Sequence, residues 1–211
     1  MKYLIDHYEN LYKKYEDSHL TLQHANLEQQ IKRYEIISSK IKPDNSILDF
    51  GCGLADLYKF LVKDKNYNGN YTGLEIVPSF INNNKKVFKD NKKVKFTKNN
   101  IYQIKNTDKF DYVLVCGTFN NYIPDINQYE YLNKTIIELF KHCKIGLSFN
   151  LLSTYIDYQD KNLFYFDPCR VFDFCKLNIS KFIELKHDYI LNKDGYPYEF
   201  TMHLQRSPSS K

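Results

Sequence analysis

Acids and glycines placed at the ends of apolar runs are the first residues of this chain able to do chemistry. In Ile47-Leu48-Asp49-Phe50-Gly51-Cys52-Gly53-Leu54-Ala55 an acid closes a short apolar run and two glycines follow. Gly51 and Gly53 carry no side chain, so the backbone there can turn sharply and a ligand can lie against the peptide groups. The spacing of Leu54, Leu57, Tyr58 and Leu61 predicts a helix just beyond. Its first N–H groups and positive dipole end would face whatever sits on the turn. A second acid, Glu75, closes the run Tyr71-Thr72-Gly73-Leu74 and is followed by Ile76. It stands about 20 residues after the glycines, the distance at which a carboxylate accepts hydrogen bonds from ribose hydroxyls. A glycine turn alone serves steric needs as readily as binding. Two such features in register on consecutive strands point to a nucleoside-type ligand.

Further groups with chemical potential lie outside that pair. His187 beside Asp188 offers a general base that titrates near neutrality, or else a sheet-end histidine bonded to backbone. Gln30 and Arg33 share one helical face; the guanidinium could grip a carboxylate in bidentate fashion, or the pair could form a solvated polar surface. Tyr155, Asp157 and Tyr158 fall in a loop able to line a pocket for a polar substrate, though aromatics that merely stabilise a surface loop would look the same.

The elements that must position these groups alternate in type. Pro43-Asp44-Asn45 turns the chain into a first strand near 46–50, and further strands are expected near 71–75, 94–97, 110–116 and 144–151. Helices are expected near 54–63, 79–90 and 128–141. Strand–helix alternation is the signature of a parallel sheet covered on both faces. Right-handed crossovers leave the loops after the strand ends on one edge, where every motif above falls. Before Ile47 the pattern is helical: a stripe of Tyr8, Leu11, Tyr12 and Tyr15, a break at Asp17-Ser18-His19, and a second segment from Leu27 to Ile41. After 160 come a helix near 168–177, a strand near 181–187 and a last strand near 198–205, with Tyr196-Pro197 turning between the two strands.

Asp49-Phe50-Gly51-Cys52-Gly53-Leu54-Ala55 and Gly73-Leu74-Glu75 resemble the first two motifs of the class I S-adenosylmethionine-dependent methyltransferases. The resemblance implies that the acid-Gly loop, with Asp49, Gly51, Cys52 and Gly53, holds the aminocarboxypropyl group of S-adenosylmethionine, and that Glu75, next to Ile76, holds the ribose. Asp56 stands where dinucleotide-binding proteins usually carry a further glycine, and an acid there would repel a pyrophosphate while tolerating an ammonium or sulfonium. Asn100 stands where the family often has an acid for the adenine amino group; its side-chain oxygen can still accept, and Ile101 would pack on the ring. Phe110 to Cys116 would end at the reactive methyl, with Cys116 on the cofactor side and Asn120 on the substrate side. Cys116 reads as a buried strand-end residue rather than a nucleophile, since no Pro-Cys pair is present. The Asn-Pro-Pro-Tyr tetrapeptide of amine methylases is absent as well.

The resemblance also implies the architecture: an α/β, Rossmann-like seven-stranded mixed sheet, six strands parallel and the seventh antiparallel, with helices on both faces. Residues 1–42 would form an N-terminal helical lid, 43–206 the methyltransferase domain and 207–211 a tail. The terminal strand pair separates this family from dinucleotide dehydrogenases. Beyond the motifs, the arrangement looks like a group of small bacterial methyltransferases.

Composition bounds the rest. The chain has 211 residues, 43% hydrophobic and 26% charged, as in an ordinary globular protein. Its net charge of +5 comes from dispersed lysines such as Lys85, Lys86, Lys89, Lys92 and Lys93. Arginines interleaved with aromatics on one face, the mark of a nucleic-acid surface, are missing, so a nucleic-acid partner is disfavoured. Five cysteines without metal-ligand spacing suggest neither a disulfide framework nor a metal site, and a reducing cytoplasm. No secretory signal or membrane-length apolar run is expected. The expectation is a cytoplasmic monomer or homodimer that methylates oxygen or nitrogen of a small polar metabolite. A nucleic-acid or protein methyltransferase, and a non-catalytic cofactor-binding partner subunit, are the alternatives.

Overall fold

A computed structural model of the chain describes residues 1–22, 26–98, 101, 104–105, 107–192 and 195–207, with His19 described by its backbone alone. Seven strands form one sheet: β1 (Ile47–Phe50), β2 (Tyr71–Leu74), β3 (Val94–Thr97), β4 (Phe110–Val115), β5 (Cys143–Leu152), β6 (Phe182–Lys186) and β7 (Glu199–Gln205). Their order is β3-β2-β1-β4-β5-β7-β6. β7 runs antiparallel to both β5 and β6 while the remaining pairs are parallel, so six strands share a direction and one opposes it. The helices are α1 (Lys2–Tyr15), α2 (Leu27–Ile37), α3 (Asp56–Lys65), α4 (Pro78–Val87), α5 (Gln128–Lys141) and α6 (Pro168–Asn178).

Successive strand residues point to opposite faces, and the core divides accordingly. Leu48, Val113, Val115, Leu147, Phe149 and Phe200 pack with Leu132, Ile136 and Leu139 of α5 and Val171 and Cys175 of α6. Ile47, Tyr71, Phe96 and Leu114 pack on the other face with Tyr34 and Ile37 of α2, Leu57, Tyr58 and Leu61 of α3, and Ile81 of α4. The second face changes character towards its far side. There β5 and β7 present Ser148, Asn150, Glu199, Thr201 and His203, all buried, and the Ser148 hydroxyl meets His203 Nδ1 at 2.7 Å. Buried polar groups need such partners, because an unpaired one costs roughly 1–3 kcal/mol.

Element ends follow local chemistry. The helix expected to reach Ile41 stops at Ile37, because the Ser38 hydroxyl bonds back to the Tyr34 carbonyl and the chain then turns over residues 38–41. α1 ends at Tyr15 with Glu16 at φ +51°, and a single 3₁₀ turn, His19–Leu22, follows it. α6 is capped by Asp167, whose carboxylate accepts from the N–H groups of Cys169 and Arg170.

Candidate cofactor site

The sheet edge at the ends of β1, β2 and β4 carries a cleft of about 140 Å³, lined on one side by Asp49 to Gly53 and by Leu74 to Val77. β1 ends at Phe50, and the chain then passes through Gly51 (φ +75°), Gly53 (φ +53°) and Ala55 (φ +59°) before α3 begins at Asp56. Only glycine adopts the first two conformations without strain. The turn is pinned to β2: the N–H groups of Gly51 and Cys52 donate to the Leu74 carbonyl at 2.8 and 3.1 Å. The N–H of Gly53 donates to Glu75 Oε2 at 2.8 Å. Three N–H groups of the turn are therefore spent inside the protein rather than left for a ligand.

Glu75 is the hub of that edge. Its other oxygen accepts from the N–H groups of Ile76 and Val77 at 2.7 and 3.0 Å, and the residue is 6% exposed. Burial pushes its pKa up, against the pull of these three N–H donors. Asp49 is more deeply enclosed. Desolvation raises its pKa to about 7, opposed by the hydrogen bond it accepts from the Tyr71 hydroxyl and reinforced by the nearby Glu75 carboxylate. Cys52 turns its side chain into the core, where a Cβ on Gly73 would stand 2.6 Å from its sulfur. Burial pushes the Cys52 thiol up too.

The opposite wall comes from elements far away in sequence. Cys116, Gly117 and Thr118 after β4 line it together with Tyr131 of α5. Thr118 donates to the Phe50 carbonyl at 2.9 Å and sits tight against Gly51. The roof is N-terminal: Leu4 and Tyr8 of α1, Leu22 of the 3₁₀ turn and Tyr34 of α2 line the same cleft. Leu22 lies directly on the turn, 3.0 Å from where a Cβ on Gly53 would be. α1 is fastened to both rims. Tyr8 accepts from the Asn121 amide at 2.9 Å, and the Glu9 carboxylate accepts from the N–H of Ser79 at 3.0 Å and from the Ser79 hydroxyl.

Of the residues singled out in the sequence, Asp49, Gly51, Cys52, Gly53, Glu75, Ile76 and Cys116 converge on the cleft. Ile101 is fully buried in the core beside Leu48 and Leu74. Asn100 lies outside the described residues. Gln30 and Arg33 stand behind the roof and outside the lining: Gln30 donates to the Tyr34 hydroxyl at 2.6 Å and to Asp56 at 3.4 Å, and Arg33 pairs with Glu199 at 2.8 Å.

Asn120, Tyr155, Asp157, Tyr158, His187 and Asp188 also stand apart from the lining. The Asn120 carbonyl accepts from Phe164 N–H, which ties its loop to the one after β5. Tyr155 stacks on His187 with ring centroids 6.0 Å apart, while Tyr158, Asp157 and Asp188 are exposed. Desolvation holds His187 below the usual imidazole range, offset in part by a hydrogen bond to the Pro197 backbone. The roof residues Tyr8, Leu22 and Tyr34 fall within the segment 1–42 expected as a lid, but the sequence does not single them out as lining. Tyr8 alone had a signal, its place in the aromatic stripe of α1.

Two carboxylates and no lysine or arginine line the cleft among the described residues. A pyrophosphate would be repelled there, whereas a ligand with an ammonium and a sulfonium is favoured. The sheet order, the lone antiparallel strand and this acidic glycine turn define a class I S-adenosylmethionine-dependent methyltransferase, and the chain belongs to that family. A family model described as a methyltransferase domain matches residues 48–146. The Mycobacterium tuberculosis (strain ATCC 25618 / H37Rv) protein Rv1506c, itself named as a methyltransferase only provisionally, is 30% identical over 166 residues, covering 77% of this chain and 93% of its own.

Solved structures agree on the fold. Magnesium protoporphyrin IX methyltransferase from Synechocystis PCC 6803 with bound S-adenosylhomocysteine superposes with a TM-score of 0.66 at 13% identity, covering 96% of this chain and 94% of that one. An S-adenosylmethionine-dependent methyltransferase from Clostridium acetobutylicum ATCC 824 gives 0.62 at 13% identity, over 93% and 97%. The protein is thus an enzyme of methyl transfer, with S-adenosylmethionine as its cofactor. No helix among the described residues is long and apolar enough to cross a membrane.

Proposed function

We propose that the acidic cleft holds S-adenosylmethionine and that the acceptor is a small polar metabolite, a sugar or nucleotide-sugar, methylated at oxygen or nitrogen. The observation that carries the cofactor assignment is the pair of buried carboxylates, Asp49 and Glu75, on one glycine turn. Glu75 Oε1 accepts from two N–H groups and Oε2 from one, which leaves one lone pair, on Oε2, for a ribose hydroxyl. Asp49 supplies negative charge for the amino-acid end, and Leu22, Phe80 and Val77 give apolar surface around the nucleoside. When bound, the cofactor supplies an electrophilic methyl group on sulfur. The protein's task is to align a nucleophile with it and keep water away.

The acceptor reading rests on the loops after β4, β5 and β6, which meet on the same edge. Asn121 pairs with Leu163 across two of them, and Asp157 N–H reaches the Tyr196 hydroxyl at 3.4 Å. Exposed Tyr122, Tyr155, Tyr158 and Tyr196 stand among Asp157 and Asp188. Aromatic faces with carboxylates suit a hydroxyl-rich ligand. β6 lies three strand spacings from β4, about 14 Å. We therefore assign His187 to the remote end of the acceptor rather than to its reacting atom.

Incubating the protein with methyl-labelled S-adenosylmethionine and a whole-cell extract, then separating small metabolites from nucleic acid and protein, tests both parts. Label recovered in the sugar and nucleotide-sugar fraction supports the reading. Label recovered only in nucleic acid or protein removes the small acceptor, and no S-adenosylhomocysteine binding by calorimetry removes the cofactor site.

A further inference from the structure

Behind the cleft, a buried chain of polar contacts joins its Gly117 wall to helix α2. The Gly117 N–H donates to Asn150 Oδ1 at 2.7 Å, and Asn150 Nδ2 donates in turn to Glu199 Oε1 at 2.7 Å. The other Glu199 oxygen accepts from Arg33 Nε at 2.8 Å. Tyr189 donates to the same carboxylate at 3.2 Å, and the Tyr198 hydroxyl lies 3.4 Å from Arg33 Nη2. The side chains of Glu199 and Arg33 are 1% and 13% exposed.

A buried ion pair gains little over a well-packed apolar pair, because desolvation offsets the attraction. What this chain of bonds supplies is direction. Asn150 uses its acceptor on one neighbour and a donor on the other, so its amide orientation is set, and with it the Gly117 N–H. Gly117 sits at φ +73° between Cys116 and Thr118, and all three line the cleft. At the other end Arg33 is followed in α2 by Tyr34, which lines the roof. One carboxylate thus connects two walls that are distant in sequence.

We propose that Glu199 is a positioning residue of the cofactor site, holding the Gly117 wall through Asn150 and the α2 roof through Arg33 so that the two walls close on the cofactor as one unit. This rests on the cofactor assignment above. Glu199→Gln is the informative change: it keeps the shape and an oxygen for Asn150, while its amide turns donors towards Arg33.

The test uses the full chain. Calorimetry with S-adenosylhomocysteine gives Kd for wild type and for Glu199→Gln, well below the melting temperature of each. Hydrogen exchange read by mass spectrometry follows residues 27–37 and 116–119 with and without the ligand. In wild type, both segments should gain protection together on adding S-adenosylhomocysteine. Folded Glu199→Gln should bind about tenfold more weakly or worse, with protection of 116–119 no longer accompanied by that of 27–37. A purely structural glutamate would lower the melting temperature and leave both readouts unchanged in the folded variant, which overturns the proposal. If the variant does not fold, Asn150→Ser, which cuts the link on the Gly117 side and keeps the Glu199–Arg33 pair, takes its place: wild-type affinity with joint protection overturns the proposal, and weaker binding with the two segments no longer protected together upholds it. Wild type that fails to bind S-adenosylhomocysteine overturns the cofactor assignment and this proposal with it, an outcome distinct from a defect confined to the variant.

Discussion

Glu75 closes onto Gly53: the carboxylate at the end of β2 takes the N–H of the second glycine after β1 at 2.8 Å and so staples two neighbouring strand ends together. The residue assigned to the ribose is therefore also a structural member of the turn. Binding and folding are entangled at this position, and experiments there have to separate them.

Glu75→Ala should orphan the N–H groups of Gly53, Ile76 and Val77. Each buried unpaired donor costs roughly 1–3 kcal/mol, so the midpoint of urea unfolding should fall markedly. Glu75→Gln keeps oxygen for only part of that set and should be destabilised less. Both should lose at least about tenfold in S-adenosylhomocysteine affinity. A Glu75→Gln variant with wild-type calorimetric affinity would separate the carboxylate from the cofactor.

Gly51→Ala meets two obstacles. The backbone lies at φ +75°, and the new Cβ would stand 2.3 Å from Thr118 Oγ1. The expected loss is about 1–3 kcal/mol, from strain and contact together. Adding Thr118→Ala removes the contact and leaves the strain. The double variant should recover part of the loss in urea melts, retaining a deficit of about 1 kcal/mol from the left-handed backbone. Full recovery would show that φ strain is negligible there.

Asp49 and His203 should pull stability in opposite directions with pH. Asp49 has a folded pKa of about 7, above its ordinary 3.8, so between those values the native state holds a proton that the unfolded chain has lost, and raising the pH costs stability. Burial holds His203 at about 4, below its ordinary 6.5, so across that range the unfolded chain holds the extra proton and raising the pH adds stability. From about pH 4 to 6.5 the two slopes cancel. Asp49→Asn should unmask the histidine, and its stability relative to wild type should climb with pH by up to about 1.4 kcal/mol per unit until pH 7. Urea titrations at a series of pH values read this difference directly. A flat difference between the two proteins would mean that Asp49 is ionised throughout.

The same carboxyl links cofactor binding to proton release. A sulfonium and an ammonium beside Asp49 favour its ionised form, so binding at pH 6 should expel a proton and affinity should rise with pH until it levels off above about 7. Calorimetry in two buffers of different ionisation enthalpy counts that proton. S-adenosylhomocysteine, which lacks the sulfonium charge, should show the smaller release.

Local patterning carried most of the fold into view. The turn at Gly51 and Gly53, the acid closing β2 and the strand pair after 180 each depend on residues adjacent in sequence, and the structure has β1, β2, β6 and β7 at those places. The site was legible residue by residue as far as its floor. The roof was legible as a helical lid over 1–42 but not in its contacts, because these span the chain: Leu22 rests on Gly53, Tyr8 meets Asn121, and Arg33 finds Glu199 across 166 positions. Helical spacing could place Arg33 and Gln30 on one face, but not say that a buried carboxylate on β7 was waiting for it. Cys52 shows the reverse case. Within the motif it reads as a binding position, yet its sulfur packs over Gly73, where steric room under the sheet decides its direction.

The double fastening of α1, to Asn121 on one rim and Ser79 on the other, couples the two rims to each other. Neither rim can spread from the other without pulling on the same helix, since Tyr8 holds Asn121 and Glu9 holds Ser79. Two segments that leave different strands thereby share one tether.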